Sequence, residues 1–189
     1  MIVKNNSIDF AINLIENGEI IIIPTDTLYG FSFDAYNSMI IKKFNKFKKR
    51  NSPLSIIVDS INMAKKYANC EEVESVQHFL PGPFTFLFSK IESSLSPLIT
   101  QNSDKIGIRI PNNTFCIEIV NKLNRPIVTT SVNFHGLQSI NKINNIENTF
   151  PQFNIFKGME NIKSKGSTIV DMTLNSPEII RQGDGIFSL

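Results

Sequence analysis

Three groups of side chains in this sequence carry enough charge and hydrogen-bonding capacity to do chemistry together. Lys42, Lys43, Lys46, Lys48, Lys49 and Arg50 form a basic run, Arg109 stands inside the apolar stretch I-G-I-R-I-P, and Arg181 opens R-Q-G-D-G. Four stretches of small polar residues, 25–30, 129–136, 166–168 and 181–185, fall at predicted strand ends. Taken singly, each is an ordinary turn composition. Taken together they describe an anion site. Ligands of α/β sheets collect at strand ends, where loops present free N–H groups, and Ser and Thr hydroxyls bond phosphates and amino acids alike.

Each cation has a plain reading and a functional one. A charge run on a helix is usually a solvated face, and Lys42 and Lys43 also complement the helix dipole. Lys48 and Arg50 lie past the periodic part, before the turn Asn51-Ser52-Pro53, and can reach a cleft. There they offer a point charge and a forked donor, the pair a triphosphate needs. Arg109 in an apolar strand requires an anionic partner. That partner is either an internal Asp or Glu or a bound carboxylate or phosphate, and Arg181 has the same two readings. His78 and His135 form no triad with a cysteine, Cys116 sits among apolar neighbours, and the zinc-protease, nucleophile-elbow and P-loop motifs are absent. Cys70 and Cys116 have no metal-type spacing, so no metal ligands are assigned.

The elements that must position these residues follow from periodicity. Ser7 is read as the N-cap of a helix over about 8–16, with Ile8, Ala11, Ile12 and Ile15 on one face. Residues 19–24 hold four consecutive isoleucines and read as a buried strand that Pro24 ends. A helix over 38–49 with Met39, Ile40, Phe44 and Phe47 apolar, and a strand over 54–58, follow. Helices are expected over 61–67 and 71–80, the latter broken by Pro81-Gly82-Pro83. Strands are expected over 84–88, 105–110, 126–130, 168–171 and 178–181, with a helix from Thr114 to Leu123 capped by Thr114. Residues 140–166, rich in Asn and Lys, have weak periodicity and receive no element. The sum is an α/β chain: a twisted mixed sheet flanked by helices, with late hairpin-like pairs, in one domain.

Bulk properties narrow the class. With 189 residues, 41% hydrophobic and 19% charged, the chain is long and apolar enough for a real core. The formal net charge of +2 gives no general nucleic-acid-binding signature. No apolar run reaches the roughly 18 residues of a membrane span, and the first residues do not read as a signal peptide. A reduced cytoplasmic location, away from membranes, is expected.

The strings I-I-P-T-D-T-L-Y-G-F, K-K-R, P-L-S-I-I-V, L-P-G-P-F-T-F-L-F, I-G-I-R-I-P, T-T-S-V-N-F-H-G, G-S-T-I-V-D and I-I-R-Q-G, in this order, resemble the YrdC family of threonylcarbamoyl-AMP synthases over nearly the whole chain. The resemblance implies a three-layer YrdC-like fold with a concave, positively charged cavity, in the short, single-domain form over residues 1–189. It implies the substrates L-threonine, bicarbonate and ATP, with Mg²⁺ assisting, and a downstream tRNA threonylcarbamoyl-transferase complex as the recipient of the product. The K-x-R pair falls on Lys48 and Arg50, taken as the catalytic phosphate-neutralising residues. By resemblance the ATP site also takes Ser52, Lys105, Ser131, Asn133, Ser139 and Arg181. Threonine takes Thr25, Thr27, Arg109, Thr129 and Ser167.

Two departures stand out. Pro53 follows Arg50 by three residues, a shorter loop than the family's, which puts Ser52 in question and leaves open a register in which Lys46 and Lys48 play the two parts. The His that many members carry after P-L is replaced by Ile56, Ile57 and Val58. A YciO-like paralogue of unassigned activity is the alternative within the family. An RNA-binding module that grips duplex RNA weakly is the alternative outside it.

Overall fold

The computed structural model describes residues 1–3, 7–134 and 136–188. His135 lies outside the described residues. In chain order the elements are α1 Ile8–Glu16, β1 Ile21–Ile23, β2 Gly30–Asp34, α2 Ser38–Lys48, β3 Ser55–Ile57, α3 Ile61–Ala64, α4 Cys70–Ser75, a 3₁₀ turn Gln77–Phe79, β4 Phe84–Ser89, β5 Lys105–Arg109, α5 Thr114–Leu123, β6 Ile127–Ser131, α6 Ile143–Thr149, β7 Asn154–Ile155, β8 Thr168–Asp171 and β9 Glu178–Arg181.

Capping chemistry sets the helix starts. Ser7 accepts from the Phe10 N–H at the head of α1, and Asn37 accepts from Met39 and Ile40 at the head of α2. The cap of α5 is Asn113, not Thr114. The Asn113 side chain reaches the Cys116 N–H, the third residue of the helix, where an N-cap oxygen finds its donor. The helix read over 71–80 divides, because Val76 at φ −111° leaves the helical region between α4 and the 3₁₀ turn. Helix α3 stops at Ala64, three residues early, and continues as tight turns. On α1 Leu14 is buried and Ile12 is not. Met39 on α2 is 81% exposed, so it is not part of the buried stripe.

The strands form a nine-stranded mixed sheet in the order β7-β1-β2-β6-β3-β5-β4-β8-β9. Strand β2 lies where no element was expected, yet G-F-S-F-D alternates, and Phe31 and Phe33 pack against Phe44 of α2. Both α6 and β7 arise in the stretch left without an element. Residues β8 and β9 form the expected late antiparallel pair.

Alternation gives the sheet two different faces. In F-T-F-L-F-S of β4, Phe84, Phe86 and Phe88 enter the core. Thr85 and Leu87 face the other way. Register carries that second face across the sheet: Leu87 opposite Gly107, Gly107 opposite Ser55, Arg109 opposite Ile57, Thr85 opposite Ile169 and Ile169 opposite Arg181.

Candidate functional site

A cavity of about 200 Å³ lies on this polar face. Arg50, Arg109 and Arg181 line it, together with Thr25, Thr27, Thr129, Ser131, Ser139 and Ser167. The expectation of a site at strand tips is therefore modified. Several of these groups stand along the sheet surface itself, because alternate residues of β3, β4, β5 and β6 share that side.

The wall near β1 is built by the P-T-D-T turn. Thr25 Oγ1 donates to the Leu28 carbonyl at 2.6 Å and accepts from the Thr27 N–H at 3.1 Å, which fixes the Thr25 hydroxyl, 3.2 Å from that of Thr27. Arg109, at the end of β5, donates through Nη2 to Asp26 Oδ1 at 2.7 Å and to Thr27 Oγ1 at 3.2 Å. The internal-partner reading of Arg109 is thus realised in part. Its Nε is buried and has no acceptor, while the residue itself lines the cavity. Thr129 Oγ1 lies 2.9 Å from Ser32 Oγ on the neighbouring strand.

The far wall belongs to the last two strands. Arg181 Nη2 donates to the Ser167 carbonyl at 2.6 Å, and Nε donates to the same oxygen at 3.2 Å. Burial pushes the Arg181 guanidinium below its usual value, and the charge of Arg109 adds to this. The two arginines therefore repel across the cavity, which an anion between them would relieve. Ser167 Oγ lies 2.7 Å from Thr85 Oγ1.

Arg50 donates to the Ser52 carbonyl at 3.0 Å and to the Pro53 carbonyl. The short loop after Arg50 therefore curls around the guanidinium and supports it. Ser52 does not line the cavity, and its carbonyl serves Arg50 and the Gln101 side chain. Lys48 and Asn133 stand behind the lining. The Lys48 ammonium donates to the carbonyls of Ser131 at 3.1 Å and Asn133 at 2.6 Å. Burial and the neighbouring Arg50 push it down to about 8, while the oxygens it bonds favour its charged form. Lys105 is the clear departure: it opens β5, roughly 13 Å from Arg109 at strand rise, and its ammonium pairs with Asp171. Burial pushes the Asp171 carboxyl up, but Lys105 and Thr173 outweigh burial and hold it below its usual value. Lys105 does not line the cavity, and its side chain stays 38% exposed.

Ser55, Thr85 and Lys165 line the cavity without having been singled out in the sequence. A lone Thr amid F-T-F-L-F was the available signal for Thr85. Asp26 was also missed, although a buried Arg109 demands an acid and Asp26 stands between two Thr. Gly107 keeps the floor flat, since a Cβ there would meet Ser55 Oγ at 2.5 Å. Ile56, Ile57 and Val58, where the family's His is replaced, are buried.

The Sua5/yciO/yrdC family model, described as "Telomere recombination", matches residues 13–183. The chain belongs to this family. A Methanocaldococcus jannaschii protein whose name carries threonylcarbamoyl-AMP synthase is 34% identical over 148 residues, 76% of this chain and 69% of the relative. Pyrococcus abyssi Sua5, solved in complex with L-threonine, superposes with a TM-score of 0.84 at 27% identity, over 93% of this chain and 54% of that structure. Escherichia coli YciO has the same fold, with a TM-score of 0.86 at 18% identity, over 95% of this chain and 90% of its own. Across the first three curated relatives the chain spans 54% to 69% of their length. Among the described residues no helix is long and apolar enough to cross a membrane.

Proposed function

We propose that the chain is an L-threonylcarbamoyladenylate synthase, a nucleotidyltransferase that supplies the threonylcarbamoyl group for tRNA modification. The carrying observation is the convergence of Arg50, Arg109 and Arg181 on one hydroxyl-lined cavity. The Sua5 neighbour solved with L-threonine and the names of the relatives support the same reading.

The chemistry needs two anions held close together. The threonine amine takes up the carbon of bicarbonate with loss of water, giving a carbamate. A carbamate oxygen then attacks the α-phosphorus of ATP, and pyrophosphate leaves with the bond that breaks. Arg109, with Thr25, Thr27, Thr129 and Ser167, holds the amino acid. Arg50, Arg181, Ser131 and Ser139 neutralise and orient the phosphates, and Lys48 and Asn133 hold the turn that carries Ser131. Fixed positive groups aimed at developing phosphate charge lower the barrier without reorganising. The lining supplies guanidinium and hydroxyl groups, and among the described residues no cluster of three His, Cys, Asp or Glu side chains forms a metal cage. Mg²⁺ would therefore arrive on the triphosphate as MgATP, bound by phosphate oxygens and water.

A pyrophosphate assay with ATP and bicarbonate, run with L-threonine and with serine, valine and alanine, tests the reading. Release that depends on threonine is expected. Release that ignores the amino acid would remove the assignment.

A further inference from the structure

We propose that Asp26 is a positioning residue for amino-acid binding, acting through Arg109. This rests on the reading of the cavity as a threonine site. The two side chains are 9% and 10% exposed and meet at 2.7 Å through a single guanidinium nitrogen. Asp26 is itself held from the other side. Its Oδ2 accepts from the Asn112 N–H at 3.2 Å, which ties the P-T-D-T turn to the chain just after β5. A carboxylate fastened at both oxygens is a fixed strut, not an exchangeable counter-ion.

The geometry has two effects. Asp26 and Thr27 both engage Nη2, so the guanidinium is anchored at one corner. A forked cation held at one corner can present its remaining N–H groups to a second carboxylate in one orientation. Asp26 also balances the charge of Arg109, which lines the cavity with Arg50 and Arg181. Because it does not line the cavity, Asp26 acts on the ligand indirectly, through Arg109 and the turn it ties down.

Calorimetric titration of the whole chain with L-threonine, and separately with ATP, tests the assignment on Asp26→Asn and Asp26→Glu. Asp26→Asn removes the charge at constant size and is expected to weaken threonine binding about tenfold or more, with ATP binding within about twofold of the parent. Asp26→Glu preserves an ion pair but is one methylene longer, so it displaces the guanidinium. It is expected to lose threonine affinity with ATP binding within about twofold of the parent's, a split that a merely structural ion pair would not give. Threonine binding by Asp26→Glu equal to the parent's, or equal losses for threonine and ATP in either variant, overturns the proposal. Failure of the parent to bind threonine overturns the functional reading and this inference with it.

Discussion

The Lys48 ammonium donates to the Asn133 carbonyl at 2.6 Å and to its side-chain oxygen at 2.5 Å, so the last residue of α2 is tied to the turn that follows β6. Two motifs 83 to 85 residues apart in sequence thus become one unit. Lys48 shapes the turn, and Arg50, two residues on, reaches the cavity.

This tie has a pH signature. The Lys48 ammonium is pushed down to about 8 by burial and by Arg50, so it is charged below that pH and loses its proton above it. ATP binding is expected to weaken as pH rises through 8 in the parent and to lose that limb in Lys48→Met. For stability the sign is opposite. The unfolded lysine holds its proton to about 10.4, so between these values the unfolded state binds more protons and stability rises with pH on this account. Calorimetry on either side of pH 8 checks the first statement, and urea titrations check the second.

Arg50→Ala removes a guanidinium that two loop carbonyls hold. It is expected to abolish pyrophosphate release while leaving the far-ultraviolet circular dichroism unchanged. Turnover at the parent's rate would dismiss Arg50 as a phosphate ligand.

Arg109→Ala combines a functional loss with a structural one. It raises the threonine requirement more than the ATP requirement, and it leaves Asp26 buried without its partner. Breaking a buried pair costs about 3 kcal/mol, read as a fall in the urea midpoint. Equal rises in the threonine and ATP requirements would argue against a carboxylate clamp.

Thr85→Val keeps the volume and deletes the hydroxyl that lies 2.7 Å from Ser167 Oγ. A loss of about tenfold in kcat/KM is expected, in line with about 1.5 kcal/mol for a buried hydrogen-bonded hydroxyl. Unchanged steady-state kinetics would limit Thr85 to filling space.

Gly183→Ala tests how the far wall is held. A Cβ at Gly183 would sit 2.2 Å from the Gly166 carbonyl and 2.5 Å from that of Ser167, the oxygen that Arg181 grips. The wall must move, at a cost of about 1–3 kcal/mol. A lower thermal midpoint with a raised ATP requirement is expected, measured by calorimetric scanning and initial rates.

Much of this site was legible in the chain because local chemistry decides it. The four isoleucines before Pro24, the charge run that ends α2 and the Arg inside I-G-I-R-I-P each state a burial or a charge that needs an answer. Family resemblance then joined pieces that periodicity left separate. The unassigned stretch was illegible for a physical reason. Short elements such as β7, two residues long, gain their order from pairing with β1 rather than from their own propensity.

By itself the sequence determined which residues carry charge, which strands alternate and where helices can be capped, since these depend on side-chain type and near neighbours. Only the tertiary structure decided that Lys105 pairs with Asp171, that Ser52 lends its carbonyl to Arg50, and that Arg109 answers to Asp26. Those outcomes turn on strand register and on which loops meet. Alternation fixes which face a side chain takes, but which distant segments meet across that face is settled by their packing.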